Sequence, residues 1–347
     1  MQVIRGLHNL RDEHRGCVAT IGNFDGVHLG HQAILEQCRE QAARLGLPVT
    51  VVVFEPQPRE FFAGEQAPPR LTRLRDKVRL LGEAGVERVL CLPFNDALRS
   101  LTAEAFIRRV LTEGLGVRHL VVGDDFRFGC DRRGDFHLLT AVGEAHGFGV
   151  EHTRTFTIDD ERVSSSRIRT LLASGNFEAA ARLMGRPYRL GGRVVADRKL
   201  GRTIGVPTAN LPQPVRSLAL QGVYAVIARL PDGQRRAGVA NIGWRPTVGS
   251  TRPVLEVHLF DFDGDLYGKR LAVFPCAKLR GEVKFDDFPA LKRQIRLDLE
   301  RARAYFAHHV PGSTGGDDDL PLASAPLARE AVTLDSSAGA PADHDDG

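Results

Sequence analysis

The sequence of 347 residues predicts two folded regions of different class and an acidic tail. In the first half, short apolar β-type runs alternate with helical patterns, which is typical of a parallel α/β sheet covered by helices. From about Arg189, consecutive short strands separated by turn residues predict a small antiparallel β-barrel. This change of period places a domain boundary near residues 185–188. The predicted regions are therefore 1–185, 186–310 and the tail 311–347.

The first region is built from strand–helix units. The run 48–54 is β-branched without alternation, as expected for a strand buried on both faces. The predicted strands are 17–22, 48–54, 86–92 and 117–123. The predicted helices are a first helix with Ile34, Cys38, Ala42 and Leu45 on one face, then 72–85 ended by Gly85, 101–114 capped by Thr102 and ended by Gly114, and 137–147. Ligands of such sheets bind at the carboxyl ends of the strands.

The second region has five candidate strands and a terminal helix. The strands are predicted at 190–196, 222–230, 235–243, 253–262 and 269–279. The helix 285–309 is predicted to carry its apolar side on Phe288, Leu291, Ile295, Leu299 and Ala302. The turn signals at 231–233 and 261–268 support antiparallel pairing.

Composition excludes several classes of protein. No run approaches the roughly 18 apolar residues that a membrane span needs, and the N-terminus lacks the apolar core of a secretory signal. The five cysteines are scattered without a CxxC pair. This favours free thiols in a reducing cytoplasm over disulfides or a zinc site, so we expect a cytoplasmic protein.

Charge is unevenly distributed along the chain. The tail holds eight acidic residues and one arginine, so its net charge is −7 and that of the body is +11. The tail has no aromatic residue and cannot bury enough apolar surface to offset its ordering entropy, so we expect disorder. The basic residues of the body are dispersed, which favours nucleotide phosphates over nucleic acid as partners. The oligomeric state, monomer or homo-oligomer, stays open.

The segment GNFDGVHLGH (22–31) lies where the first strand ends and the first helix begins. Its glycines let the backbone turn tightly and approach a ligand, and the helix N-terminus suits a phosphate. His28 and His31 could donate hydrogen bonds to phosphate oxygens. A glycine-rich turn with incidental histidines is the alternative. Zinc is disfavoured because no cluster supplies a third and fourth ligand.

Two later segments carry polar groups at corresponding places. The first, 121–129, ends a strand with Asp124 and Asp125, which suit magnesium, a ribose hydroxyl or plain solvation. The second, 162–175, opens a helix with three serines beside arginines. Serine there is a helix cap, and with arginine it also makes an anion site.

In the second region, the loop LGRTIGVPTANL (200–211) presents Thr208 and Asn210, two neutral oxygen donors suited to magnesium and phosphate. An ordinary turn is the alternative. In the strand 253–262, alternation puts Glu256 on the side opposite the apolar residues, so it is not forced into the core.

The first half resembles a known family, the bacterial bifunctional riboflavin kinase/FAD synthetases, over residues 1–185. Its FMN adenylyltransferase module has a GxFDGxHxGH turn, matched at 22–31, and further segments matched at 54–58, 123–129 and 164–169. The resemblance implies an α/β nucleotidyltransferase with a Rossmann-like parallel sheet of the HxGH type. Ser166 stands where the family usually has threonine, and the hydroxyl is kept.

By that resemblance, His28 and His31 cradle the ATP phosphates while the phosphate of FMN attacks the α-phosphorus and releases pyrophosphate. Arg169 helps to clamp the phosphates, and Asp125 holds the ribose or magnesium. The other residues assigned to this ATP site are Gly22, Phe24, Asp25, Gly26, Gly30, Ser164, Ser165 and Ser166.

The second half resembles the riboflavin kinase module over residues 186–308. The resemblance implies that Thr208 and Asn210 bind Mg–ATP, together with Gly201. It also implies that Glu256 takes the proton of the riboflavin 5′-hydroxyl. The residues implied to border the flavin are Asn241, Gly243 and Arg280. Two places depart from the family: VVADRKLGR, at 194–202, lacks a glycine, and Gly281 replaces an aspartate.

The predicted function is therefore a two-site enzyme. ATP and riboflavin give FMN and ADP, and ATP and FMN give FAD and pyrophosphate. Magnesium accompanies ATP, and the flavins are substrates and products rather than a bound cofactor. One alternative is an adenylyltransferase for another phosphorylated acceptor, which leaves the second half without a purpose. The other is a non-enzymatic flavin- or RNA-binding protein.

Overall fold

The computed structural model describes residues 1–123, 125–130, 132–196, 205–213, 215, 217–247 and 250–309. The predictions for Asp124, Gly201 and the tail lie outside these residues. The chain divides into two compact units. Within the described residues, one unit comprises Met1–Ala67 and Leu74–Val163, and the other comprises Pro68–Arg73 and 164–309.

The first unit contains the predicted parallel sheet. Its six strands follow the order β1-β4-β3-β2-β5-β6, and every pair is parallel. The strands are β1 (Gln2–Arg5), β2 (Cys17–Ile21), β3 (Val49–Glu55), β4 (Arg88–Pro93), β5 (Val117–Val122) and β6 (Gly149–His152). Val52 and Leu90 belong to one apolar core and Val51 and Val89 to another, so both faces of the sheet are covered.

In the part of this unit that the structure describes, six α-helices and a short hairpin accompany the sheet. The helices are α1 (Leu29–Leu45), α2 (Pro58–Ala63), α3 (Leu74–Glu83), α4 (Asp96–Arg99), α5 (Ala103–Phe106) and α6 (Phe136–His146). The hairpin strands are β7 (Thr157–Ile158) and β8 (Glu161–Arg162). Single turns of 3₁₀-helix occur at Leu7–Asn9, Asp12–His14 and Gly64–Gln66.

Two details of the predicted helices are wrong. The helix capped by Thr102 does not end at Gly114, because it continues as a π-helix, Ile107–Leu115, and ends at Gly116 with φ +55°. A Cβ on Gly114 would lie 2.6 Å from the Arg109 carbonyl oxygen, so this glycine allows the wide turn rather than stopping it. Leu45, predicted on the apolar face of α1, is 48% exposed because it is the last residue of the helix.

The second unit contains the predicted antiparallel barrel. Its strands are β9 (Leu190–Arg193), β10 (Ala209–Pro212), β11 (Gly222–Arg229), β12 (Arg235–Thr247), β13 (Ser250–Leu259) and β14 (Arg270–Arg280). They follow the order β10-β13-β12-β11-β14-β9. Val195, just after β9, bridges to Asn210 on β10 and brings the two ends of the sheet together. β10 was predicted as part of a loop, and its pairing with β13 corrects that prediction.

Among its described residues, this unit has three helices: α7 (Ser165–Ser174), α8 (Phe177–Met184) and α9 (Phe288–His308). Phe177 on α8 meets Tyr224 on β11 with ring centroids 5.9 Å apart. Lys278 Nζ on β14 donates to the Ala173 carbonyl of α7 at 2.9 Å. Residues 164–184 thus belong to the same compact unit as the barrel.

The later turns of helix α9 pack into the apolar core of this unit. Ala302 and Phe306 are buried, whereas Phe288, predicted on the apolar side, is 55% exposed in the first turn. No helix in the described part of the chain is long and apolar enough to cross a membrane. All five cysteines are free, as predicted.

Candidate active sites

The turn between β2 and α1 is held in an unusual backbone conformation. Phe24, Gly26 and Val27 have φ values of +45°, +91° and +42°. This left-handed region is uncommon for large or β-branched residues, and it persists only where the surroundings impose it. Phe24 and Val27 are buried in the core beneath the sheet edge, which fixes the loop. The turn is therefore a fixed segment at the carboxyl end of the central strand β2.

The two histidines of the turn form one unit. His28 caps α1 by accepting a hydrogen bond at Nδ1 from the backbone N–H of His31, at 3.2 Å. Its neutral ring therefore carries its proton on Nε2, which makes Nε2 a donor. The rings of His28 and His31 stack with centroids 3.6 Å apart, and Phe24 lies 4.9 Å from His31. The helix N-terminus and both imidazoles thus converge at one place.

Glycines in this turn allow the backbone and neighbouring side chains to approach closely. A Cβ on Gly30 would lie 3.1 Å from the Val163 carbonyl oxygen and 3.2 Å from His28 Nδ1. A Cβ on Gly22 would lie 3.2 Å from the Phe24 ring. Asp25 is almost fully buried, at 2% exposure. The predicted residues 22–31 are therefore brought together, with the glycines at positions of close approach.

The neighbouring strand β5 brings a second segment to the same edge. β5 pairs in parallel with β2, so Gly123 follows β5 where Gly22 follows β2. A Cβ on Gly123 would lie 3.1 Å from Asp125 Oδ1, and Asp125 itself is exposed. The carboxylate predicted for ribose or magnesium therefore lies at the strand edge that the HxGH turn also occupies.

An aromatic cluster at the ends of β3 and β4 was not singled out by sequence reasoning. Phe54, Phe61, Phe62 and Phe94 form edge-to-face pairs with centroids 5.4–5.9 Å apart. Phe62 is 64% exposed, the largest exposure among the large apolar side chains of the described residues. The available signal was the run REFF after the strand, because consecutive phenylalanines in a short helix cannot all be buried.

The serine segment lies in the second compact unit. Ser164 caps α7 by accepting a hydrogen bond from the Arg167 N–H at 3.3 Å, as the cap interpretation predicted. Ser165 and Ser166 occupy the first turn of α7. Arg169 Nε donates to the Pro69 carbonyl at 2.6 Å, so part of its guanidinium orients the segment Pro68–Arg73.

In the barrel, strand register aligns three of the predicted residues. Glu256 on β13 lies opposite Asn210 on β10 and opposite Asn241 on β12. Directly opposed residues point to the same face of a sheet, so the three side chains form one row. Two strand spacings separate the outer members by about 10 Å. Glu256 is half-buried, and its neighbours Leu255 and Val257 point into the core, as alternation predicted.

A separate cleft of about 340 Å³ lies in the same unit, and Asn210, Glu256 and Asn241 are not among its lining residues. It is lined by Pro207, Thr208 and Ala209 on one side and by Val257, Leu259 and residues 262–267 on the other, with Val194 at its edge. His258 Nδ1 donates to the Pro207 carbonyl at 2.9 Å and so holds the segment that presents Thr208. This volume falls in the usual range for small-molecule sites.

The residues predicted to border the flavin differ in their surroundings. Asn241 is exposed in the row, and a Cβ on Gly243 would meet the carboxylate of Glu282 at 2.1 Å. Arg280, however, is engaged by Asp298 of α9. Its Nε lies 3.0 and 3.1 Å from the two carboxylate oxygens and its Nη2 2.9 Å from Oδ2. The guanidinium of Arg280 therefore links the barrel to α9 through Asp298.

Asn210 offers an acceptor that fits a hard cation. It is 7% exposed, its Nδ2 donates to the Thr208 carbonyl, and its Oδ1 is buried with no hydrogen-bond partner among the described residues. Neutral oxygens of this kind suit magnesium. In the same described part of the chain, no group of three or more His, Cys, Asp or Glu side chains is placed to hold a metal.

Comparisons with known proteins match both halves of the chain. A family model described as FAD synthetase matches residues 10–167, and one described as riboflavin kinase matches residues 184–306. The bifunctional riboflavin kinase/FMN adenylyltransferase of Pseudomonas fluorescens is 56% identical over 88% of this chain and 98% of its own. The Escherichia coli (strain K12) protein of the same name is 48% identical over 90% of this chain and 100% of its own.

A crystal structure of a macrolide-efflux protein from Streptococcus pneumoniae is similar in fold. It has a TM-score of 0.71 and 28% identity, over 87% of this chain and 98% of its own. The HxGH turn on a parallel sheet, followed by a riboflavin-kinase-type barrel, defines a flavin nucleotide transferase of two catalytic modules. This chain belongs to the family of bifunctional riboflavin kinase/FMN adenylyltransferases.

Proposed function

We propose that the chain makes FMN from riboflavin and ATP in its barrel, and FAD from FMN and ATP at the edge of its parallel sheet. The observation that carries this proposal is the pair of separate polar constellations. His28 caps α1 and His31 lies in its first turn on one unit, and Asn210, Glu256 and Asn241 share one row on the other. The family membership supports both activities.

In the kinase reaction, Glu256 acts as the general base. Its carboxylate takes the proton of the riboflavin 5′-hydroxyl as that oxygen bonds to the γ-phosphorus, and the bond to the β-phosphate oxygen breaks to release ADP. A primary hydroxyl is a poor nucleophile at neutral pH, so a base within hydrogen-bond reach contributes about 10²–10⁴-fold. Glu256 is half-buried in the row with Asn210 and Asn241, which supports this role.

Magnesium would be held by Asn210 Oδ1 and Thr208. The buried Oδ1 without a hydrogen-bond partner in the described residues supports this assignment. When bound, the ion supplies positive charge to the transferring phosphates. Asn241 and Gly243 border the flavin in this proposal, and Arg280 supports that border through α9.

In the adenylyl transfer, a phosphate oxygen of FMN attacks the α-phosphorus of ATP and the α–β bridging bond breaks. No proton needs to move, so positioning and charge stabilisation supply the catalysis. His28 Nε2–H, His31 and the N-terminus of α1 bind the triphosphate. In this proposal Asp125, at the same sheet edge, serves the ribose or magnesium.

The phenylalanine cluster, in which Phe62 is exposed, provides a surface for the acceptor. A flavin ring is flat and aromatic, and Phe62 with Phe61 and Phe94 offers edges and faces at the carboxyl ends of β3 and β4. Stacked or edge-to-face aromatic pairs contribute about 0.5–1.5 kcal/mol each beyond their buried area. We assign this cluster to the isoalloxazine of FMN.

Product stoichiometry tests the proposed function. The chain is incubated with riboflavin, ATP and magnesium, and flavins and nucleotides are resolved by chromatography. We expect one ADP per FMN formed and one pyrophosphate per FAD formed. The variant Glu256→Gln should lose FMN formation by about 10²–10⁴-fold. Glu300→Gln, an exposed glutamate on α9, is the matched control. Flavin retention without ATP turnover would instead indicate a binding protein.

A further inference from the structure

A buried polar network lies behind helix α1, away from the histidines. Gln37 and Gln41, one helical turn apart, are 1% and 9% exposed. Both direct their amides at a single carboxylate on the edge strand β6. Gln37 Nε2 donates to Glu151 Oε1 at 2.6 Å, and Gln41 Nε2 donates to Glu151 Oε2 at 2.8 Å.

The same carboxylate is held from the sheet side. His119 Nε2 on β5 lies 3.2 Å from Glu151 Oε2. A Cβ on Gly149 would lie 2.7 Å from His119 Nδ1, so glycine at this position makes room for the imidazole. Glu151 therefore links one helix and two strands through three side-chain contacts.

Gln37 adds contacts to the backbone that follows β6. Its Nε2 also donates to the His152 carbonyl at 2.8 Å, and its Oε1 accepts from the Arg154 N–H at 3.1 Å. Every polar atom of this buried amide is thus directed at β6 or its extension.

The rest of the buried face of α1 is apolar. Leu35, Cys38 and Ala42 pack in the core with valines of the sheet. Apolar packing is non-directional, so it specifies the axial position of a helix less sharply than directional bonds do. Hydrogen bonds to a fixed carboxylate depend on distance and angle and therefore define that axial position. His28 lies nine residues before Gln37, about 13 Å along the same rigid helix.

We infer that Glu151 is a positioning residue for adenylyl transfer, which fixes the axial position of α1 and hence of His28 and His31. The inference rests on the proposed function of the HxGH turn. Because a misplacement of about 1 Å can cost about 10²-fold in rate, the network controls turnover without contacting substrate.

Steady-state kinetics of FAD formation test this role, with FMN formation by the same polypeptide as internal reference. For Glu151→Leu we expect kcat for FAD formation to fall by about 10- to 100-fold. KM for FMN should stay within about twofold, and FMN formation should be unchanged. Glu151→Gln keeps an acceptor for one of the two amides, so its kcat should lie between those of Glu151→Leu and the parent. Glu36→Gln, which breaks an exposed ion pair with Arg39 on the same helix, is the matched control and should have no effect.

A triple variant keeps the test informative where Glu151→Leu fails to fold. Gln37→Leu, Gln41→Leu and Glu151→Leu together replace the network by apolar groups, which is often neutral for stability. We expect a stable protein whose kcat for FAD formation stays low. Parental kcat in the triple variant would overturn the inference, because apolar packing would then suffice to place α1. Normal FAD formation by His28→Ala/His31→Ala would instead overturn the proposed site itself.

Discussion

Removing the carboxylate of Asp298 is expected to loosen helix α9 from the barrel. Asp298 has 4% of its side chain exposed and Arg280 has 16%, and three contacts between them are 2.9–3.1 Å long. Gln294 Nε2 also donates to Asp298 Oδ1 at 2.9 Å. Asp298→Ala therefore leaves a largely buried guanidinium and an amide without their acceptor.

The magnitude follows from this burial. Breaking a buried ion pair by removing one partner costs about 3–5 kcal/mol. Arg280 keeps some access to water and still donates to the Gly281 carbonyl, so we expect the lower end, about 3 kcal/mol. For a unit of this size, that corresponds to a fall in Tm of about 10 °C.

Thermal unfolding by calorimetry, with loss of FMN formation on heating as a second readout, measures this effect. Asp261→Ala is the matched control, because Asp261 and Arg303 form an exposed pair with side chains 80% and 55% accessible. We expect its Tm to match that of the parent. If the Asp298→Ala protein unfolds at the same temperature as the Asp261→Ala control, the Arg280–Asp298 pair does not anchor α9.

Three other measurements check separate parts of the account. A fragment 164–310 should make FMN and should have a higher Tm than a fragment 186–310, because only the longer fragment keeps the contact between Phe177 and Tyr224. Equal Tm values would contradict this packing. A thiol reagent should label one cysteine of the native chain, Cys130, because the other four are buried. Burial also raises the pKa of Cys38 and Cys276 to about 12. Rapid labelling of a second cysteine would contradict this burial. Although burial alone would raise it, hydrogen bonds from Gln37, Gln41 and His119 hold the pKa of Glu151 below its ordinary value. The network should therefore stabilise the folded chain fully at pH values above the ordinary carboxyl pKa of about 4.3. This stabilisation should be lost as the pH falls through the lower pKa that Glu151 has in the folded state. On acid titration, the free energy of unfolding of Glu151→Gln should depend less on pH.

The sequence was sufficient for the architecture because each region has a strong local signal. The β-branched run that became β3 and the alternation in β13 can be read from neighbouring residues alone. The HxGH turn could likewise be placed, because a strand end followed by a helix start is a local pattern. The β3 run, the β13 alternation and the HxGH turn each depend on a short stretch of chain.

Features that depend on distant pairing were missed. β10 is a short strand that contains asparagine and ends in proline, so its identity comes from pairing with β13 rather than from its own composition. The row of Asn210, Glu256 and Asn241 depends on register between strands that are far apart in sequence. The network at Glu151 was also missed, although Gln37 and Gln41 stand four residues apart on the face that includes Cys38 and Ala42.

The most direct test of two separate sites is a comparison of two variants in both reactions. The initial rates of FMN formation from riboflavin and of FAD formation from FMN are measured for His28→Ala/His31→Ala and for Glu256→Gln. Loss of one charge-stabilising donor typically costs about 10²–10³-fold. We therefore expect the histidine variant to lose FAD formation by at least that factor and to keep FMN formation, and Glu256→Gln to show the opposite pattern. Parallel loss of both activities in either variant would contradict the assignment of one reaction to each unit.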